Sequence, residues 1–234
     1  MSILGLASVL MVVAGSACDG PLAHTGPTPT SPNPPAPVPT GATSGRIDNL
    51  DVAADLVTYN QAANIGLSIP VEGAIERSPG IITRWELPIP VHVDPSIQGN
   101  CVQDAMDYWQ SATGLSHVWV AADAEPRITI RAAGSNELNV SAGSGLVYRT
   151  YADNRARLGV VKILTSNATC TAPSALFRHE LGHVLGIFGH PPGGLMSSPL
   201  VGTTASQREI AMLTQLYRLP HGSRIASDGA WAVQ

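Results

Sequence analysis

The sequence predicts an α+β domain in which short strands and amphipathic helices share one core. Apolar residues alternate with other residues over Trp85–Asp94, as in a strand, and recur at helical spacing over Cys101–Thr113. The composition agrees, because 44% of the 234 residues are hydrophobic and only 13% are charged, as in a folded globular protein. This length accommodates one domain and some additional segments.

The predicted strands are short and rich in β-branched residues. Trp85–Asp94 carries prolines at 88 and 90, which place this strand near an edge of the sheet. Arg127–Arg131 and Gly159–Leu164 predict two further strands of the same sheet. Gly143–Arg149 predicts another, whose limits its glycines leave open.

Three helices are predicted from apolar spacing and end signals. The first spans Cys101–Thr113 and stops at Gly114. The second begins near Pro173, and its apolar face comprises Phe177, Leu181, Val184, Leu185 and Phe188. The third follows Ser206 and Glu209, which have the spacing of a capping box.

The N-terminal region predicts an exported protein. Residues 1–17 are apolar and then small, as in an export signal, and the apolar run is too short to span a membrane permanently. Residues 18–45 are rich in proline and predict an extended tether. Residues 46–84 could be either a pro-segment or the start of the domain, and the segment 85–234 is the predicted catalytic domain.

The charge of the chain argues against a nucleic-acid partner. The formal net charge is −4 and the sequence pI is about 5.9. Lys and Arg form no cluster, so the sequence offers no basic surface for phosphate backbones or anionic lipid headgroups.

The second helix carries a pattern that predicts a zinc site. His179 and His183 lie one turn apart and project away from the apolar face, so both imidazoles can close on one ion. Catalytic zinc takes three protein ligands and keeps a fourth position for water. Glu180 lies beside the pair, where its carboxylate can act as general base toward that water.

A third zinc ligand must follow the helix. Gly186 ends the regular helix where the chain turns back, and His190 comes within reach of the same ion. The alternative is Glu209, the only glutamate after the motif, although its place in a capping box favours a structural role.

These segments resemble the zinc signature of the metzincins, close to the matrixin branch. The matching segments are HELGHVLG at 179–186 with Gly189 and His190, LMS at 195–197 at the place of the Met-turn, and WQSATGL at 109–115 in the backing helix. The family usually has its third histidine at the position of Gly189, so the loop to His190 contains one extra residue. The resemblance covers roughly Trp85 to Pro220.

The resemblance implies the fold and the activity in more detail. It implies a twisted, mostly parallel sheet with an antiparallel edge strand, a backing helix, a zinc-binding helix, a Met-turn at Met196 and a C-terminal helix. It also implies a secreted or surface endopeptidase with one catalytic Zn²⁺, in which a water activated by zinc and Glu180 attacks a peptide bond. The substrate would be a protein or peptide; structural Ca²⁺ and the oligomeric state cannot be read from the sequence.

The cysteines divide into one anchor candidate and one pair. Small residues directly before Cys18 resemble the lipobox of bacterial lipoproteins, which would make Cys18 a lipid attachment site in the cell envelope; plain secretion is the alternative. Cys101 and Cys170 remain as a pair in an exported chain and predict a disulfide, with two buried thiols as the alternative.

Two other functions remain open at this stage. A non-catalytic envelope binding protein could keep a metzincin-like shell, although the intact Glu180 argues against this reading. A zinc hydrolase could also act on a non-peptide amide or on one specific partner, which tests with general protein substrates would reveal.

Overall fold

The computed structural model describes residues 41–62, 80–138, 145–152, 155–198, 200 and 202–234. The predicted export signal 1–17, Cys18 and the tether up to residue 40 lie outside the described residues. Among the residues that are described, no helix is long and apolar enough to cross a membrane.

The described chain is a mixed α/β unit whose elements follow one another closely. In chain order they are β1 (Ser44–Arg46), α1 (Leu50–Leu56), β2 (Ile89–Val93), β3 (Gln98–Gly99), α2 (Cys101–Thr113), β4 (His117–Trp119), β5 (Arg127–Ala133), α3 (Ser135–Leu138), β6 (Gly145–Ala152), β7 (Arg155–Leu164), β8 (Thr169–Cys170), α4 (Ala175–Leu185), α5 (Gln207–Arg218), β9 (Ser223–Ile225) and β10 (Ala230–Val233). A π-helical turn, Val57–Ala62, directly continues α1.

A mostly parallel sheet is the centre of the fold. Its strand order is β4-β2-β5-β7-β6. The pairs β2 with β4, β2 with β5 and β5 with β7 are parallel, whereas β6 pairs antiparallel with β7 at one edge. The sequence prediction of a mostly parallel sheet with an antiparallel edge strand is therefore confirmed.

The proline-containing strand β2 lies near an edge of the sheet, as predicted, with only the short strand β4 outside it. Ile89 N–H donates to Ser116 O, and Val91 O accepts from Val120 N–H, so these residues bond toward β4. Pro90 has no N–H to offer on the opposite side, but the pairing of β2 with β5 begins only at Val91. Pro90 therefore lies before the first residue of β2 that pairs with β5.

Two helices pack beside the sheet and against each other. α2 has the predicted bounds and ends at Gly114 in the left-handed conformation, with φ 78°. Its buried side chains include Met106 and Trp109, and the Trp109 indole contacts α4. Gly159 of β7 lies against Val184 of α4, where an added Cβ would approach Val184 Cγ2 to 2.7 Å. This close contact seats α4 directly on the sheet.

The segment before the sheet belongs to the same folded unit. β1 begins at Ser44, within the predicted tether range 18–45, and pairs antiparallel with β10 near the C-terminus. Val52 and Leu56 of α1 lie in the hydrophobic core, and α1 packs against α5. Of the ambiguous segment 46–84, residues 46–62 and 80–84 are described, and both stretches contribute core residues.

Candidate metal centre

Local sequence fixes the ends of the helix that carries the site. Ser174 caps α4 at its N-terminus, and its hydroxyl accepts from Phe177 N–H at 3.5 Å. Pro173 precedes this cap, close to the predicted start. Gly186 ends α4 with φ 139°, a conformation that favours glycine. Phe188, predicted on the apolar helix face, instead lies beyond the helix in the following loop.

Three histidine side chains converge at the C-terminal half of α4. The nitrogens that His179, His183 and His190 can offer a metal all lie within 4.8 Å of one another. His179 Nε2 and His183 Nε2 are 3.1 Å apart, and the His190 ring stacks on that of His179 with 5.4 Å between centroids. The structure thus brings together the three histidines that the sequence singled out.

The two helix histidines are buried, although they were predicted to point away from the core. His179 is 5% exposed and His183 is 7% exposed. The chain after α4 covers them: Ile187 O lies 2.6 Å from His183 Nδ1, and Leu195 O lies 2.7 Å from His179 Nδ1. The loop that leads to His190 therefore forms the other wall of the site.

These backbone contacts define which nitrogen each ring can offer. A carbonyl oxygen only accepts, so Nδ1 of both His179 and His183 carries the proton and donates. Their Nε2 lone pairs then face the cluster, as is usual for histidine ligands whose other nitrogen bonds a carbonyl. His190 Nε2 is buried and has no hydrogen-bond partner within the part of the chain that the structure describes. Three imine nitrogens, one of them unpartnered, form a donor set that fits a divalent metal ion such as zinc.

Burial keeps these rings neutral. Desolvation lowers the pKa of His183 well below its usual value, and the neighbouring His179 and His190 lower it further. Desolvation also lowers the pKa of His179, and it lowers the pKa of His190 to about 4. At neutral pH the three rings are therefore in the form that binds metal, without first losing a proton.

Glu180 follows the first histidine in α4 and is also buried, at 3% exposure. Glu180 lies three residues before His183 in α4, a spacing at which side chains are neighbours on a helix. Glu180 is thus a buried acid in the helix that carries two of the three histidines.

Met196 lies under the histidine-bearing helix. It is fully buried, and a Cβ added to Gly182 would come within 2.3 Å of Met196 Sδ. Only glycine at 182 allows the thioether to pack this closely against α4. The preceding residue, Leu195, supplies the carbonyl for His179. This buried turn is the segment predicted as a Met-turn.

Glu209 does not join the cluster and is the predicted helix cap instead. Ser206 and Glu209 form a reciprocal capping box at the start of α5. The same buried carboxylate accepts from Leu195 N–H at 3.2 Å and from Met196 N–H at 2.7 Å. The second role, as an anchor for the turn below the histidines, was missed from sequence because only the local spacing to Ser206 was visible.

The indoles of Trp85 and Trp109 each donate a hydrogen bond to a backbone carbonyl of α4. Trp109 Nε1 donates to Arg178 O at 2.8 Å, and Trp85 Nε1 donates to Val184 O at 2.8 Å. Arg178 in turn pairs with Asp104 of α2 at 2.9 Å. These contacts fix the helix against its neighbours on either side of His179 and His183.

The predicted pair Cys101 and Cys170 is not part of the cluster. Cys101 and Cys170 form a disulfide with 6.0 Å between their Cα atoms, which joins the start of α2 to β8. Sequence reasoning missed Asn60, a buried side chain from the N-terminal segment whose Nδ2 donates to Gly186 O at 2.9 Å. No local pattern marks that residue, since its partner is 126 positions away.

Two comparisons with known proteins found no match. No protein-family model matches the chain, and no curated protein matches it at a significant level. Function can therefore be inferred only from the geometry of the three-histidine cluster itself.

Proposed function

We propose that this protein is a zinc-dependent endopeptidase, with His179, His183 and His190 as ligands and Glu180 as general base. The observation that carries the proposal is the convergence of three imidazole nitrogens within 4.8 Å, next to a buried glutamate. Three histidines with an open fourth position are a known catalytic zinc arrangement, and imidazole is among the preferred ligands of that metal.

The order of features along the chain supports membership of the metzincins. A helix bearing HELGHVLG ends at a glycine, a loop leads to the third histidine, and a buried methionine turn follows beneath the helix. The antiparallel edge strand β6 also has a counterpart in that family. The extra residue before His190 is accommodated in the loop, with Gly189 packed against Tyr59.

The residues of the site divide the chemistry between them. Zinc bound there would polarise water and the scissile carbonyl. Glu180 takes the proton from the attacking water and passes it to the amine that leaves. The carbonyls of Leu195 and Ile187 hold the two helix imidazoles in the correct tautomer and orientation. A peptide would lie extended along the sheet edge, with main-chain pairing for affinity.

We also propose that the protein is exported and anchored to the cell envelope through Cys18. The apolar segment 1–17 and the proline-rich tether support this localisation. The tether would enter the folded unit at β1 and hold the domain away from the lipid headgroups.

The deciding experiment compares the full chain with Glu180→Gln in cleavage of fluorescent casein, each with and without a zinc chelator. We expect the parent chain to cleave, the chelator to stop it, and Glu180→Gln to lose about 10²-fold to 10⁴-fold in rate. Glu125→Gln, the same chemical change at an exposed position, is the matched control. Equal cleavage by Glu180→Gln would refute the proposed base; a zinc-loaded parent that cleaves nothing would refute a general endopeptidase.

A further inference from the structure

Two adjacent residues just after α1 contact the loop that runs from Gly186 to His190. After α1 the chain makes the π-helical turn Val57–Ala62, which includes Tyr59 and Asn60. Asp55 of α1 is buried and forms an ion pair with Arg208 of α5. The helix that leads into this turn is therefore tied to α5, while the turn itself contacts the loop after α4.

Asn60 uses its amide to fix the residue at which α4 ends. The side chain is fully buried. Its Nδ2 donates to Gly186 O at 2.9 Å and to Thr83 O at 3.1 Å, and its Oδ1 accepts from Thr83 N–H at 3.0 Å. The carbonyl at a helix C-terminus otherwise lacks a partner within the helix, so Asn60 satisfies and orients it.

Tyr59 holds the next part of the same loop. Its carbonyl accepts from Phe188 N–H at 2.7 Å. Its ring covers Gly189 so closely that an added Cβ would lie 2.6 Å from Tyr59 Cδ1. His190 follows immediately, so three of the four residues before this ligand, Gly186, Phe188 and Gly189, are contacted by one short segment.

We propose that Asn60 and Tyr59 are positioning residues that hold the loop from Gly186 to His190 so that His190 reaches the metal. The segment 44–62 is accordingly a permanent part of the metal centre and not a pro-segment that is removed on activation. This inference rests on the proposed metal site, but not on the peptidase activity.

Cobalt binding to the full chain tests the inference, because Co²⁺ reports the ligand set through its visible absorption. We expect Asn60→Ala and Tyr59→Ala to weaken Co²⁺ binding by about tenfold or more and to alter the absorption bands, as loss of supporting contacts does at other sites. Gln61→Ala is the matched control, since the neighbouring amide also makes two backbone hydrogen bonds, but with Ile225 of β9. Gln61→Ala should lower the melting temperature and keep the parent spectrum.

Several outcomes would overturn the inference separately from the peptidase proposal. If both variants bind Co²⁺ with the parent affinity and spectrum, Tyr59 and Asn60 are only structural. If Asn60→Ala does not fold, Tyr59→Ala alone decides, and a parent-like spectrum from it refutes the positioning role. A parent chain that binds no Co²⁺ removes the metal site and this inference together, whereas binding without casein cleavage removes only the peptidase.

Discussion

The carboxylate of Glu209 accepts a hydrogen bond from the backbone N–H of Met196 at 2.7 Å. This bond ties the start of α5 to the turn beneath the histidines. The same carboxylate also accepts from Leu195 N–H at 3.2 Å and from Ser206 N–H at 2.6 Å. Since Leu195 O contacts His179 Nδ1, one buried acid is linked to His179 through a single residue.

Glu209→Gln should destabilise the protein and loosen the site. An amide NH₂ in place of one carboxylate oxygen would face N–H donors instead of accepting from them. We expect a loss of about 1–3 kcal/mol in the free energy of unfolding, measured by urea denaturation. Asp123→Asn, the same chemical change at an exposed position, should change little. Equal effects of the two substitutions would show that the contacts of Glu209 contribute nothing specific.

His190 should matter for metal affinity far more than any histidine outside the cluster. His190→Asn removes one of the three proposed ligands, and we expect zinc affinity to fall by more than about 100-fold, beyond the usual effect of losing a supporting contact. Competition with a chromophoric chelator measures this affinity. His92→Asn is the control, because His92 lies outside the cluster and contacts Val120 O. Unchanged affinity in His190→Asn would exclude it as a ligand.

Gly182→Ala should be destabilising even though alanine normally favours a helix over glycine. The new methyl would meet Met196 Sδ at 2.3 Å and Trp109 Cζ2 at 3.0 Å, so the core must shift at a cost of about 1–3 kcal/mol. A double-mutant cycle with Met196→Ala checks the cause. In the Met196→Ala background the cost of Gly182→Ala should shrink; if it does not, the methionine is not the obstacle.

Loss of the disulfide should lower stability through the unfolded chain. The bridge spans 69 positions, so the chain-entropy model gives about 4 kcal/mol for replacing Cys101 and Cys170 by serine. Thermal unfolding of the double serine variant, compared with the oxidised parent chain, measures the effect. A reduced parent that is as stable as the oxidised one would contradict this expectation.

The metal-free protein should lose stability as the pH falls from about 6.5 to about 4. Burial lowers the pKa of His190 to about 4 in the folded chain, from 6.5 in the unfolded one, and it also lowers the pKa values of His179 and His183. Between these values the unfolded chain binds more protons, so the free energy of unfolding rises with pH. Urea denaturation at pH 5 and pH 7 gives the difference in the free energy of unfolding between these two pH values. This difference should be smaller in His190→Asn than in the parent chain.

The sequence was informative where a pattern is local. The bounds of α2, the capping box at Ser206 and the histidine helix were all predicted from spacing within one or two turns, and the structure has each of them. The grouping of His190 with the helix pair followed from a glycine that ends the helix and from the reach of a short loop.

Features that depend on distant contacts were not predictable in this way. β4 has only three residues, too few to show an alternation of apolar and polar residues. It forms because its backbone pairs with β2. The pairing of β1 with β10 joins nearly opposite ends of the described chain. Asn60 looks like an ordinary polar residue until the fold brings it to Gly186. Tertiary contacts decide these elements, and local periodicity does not encode them.

The hydrogen bonds from Trp85 and Trp109 to α4 give the protein a built-in optical probe. Of the four tryptophans in the chain, these two are fully buried, and each indole donates to a carbonyl of the helix that carries His179 and His183. Trp119 is 43% exposed and lies on the edge strand β4, away from that helix. We therefore expect Trp85 and Trp109 to emit at short wavelength, and any release of α4 to be seen as a red shift without an added label.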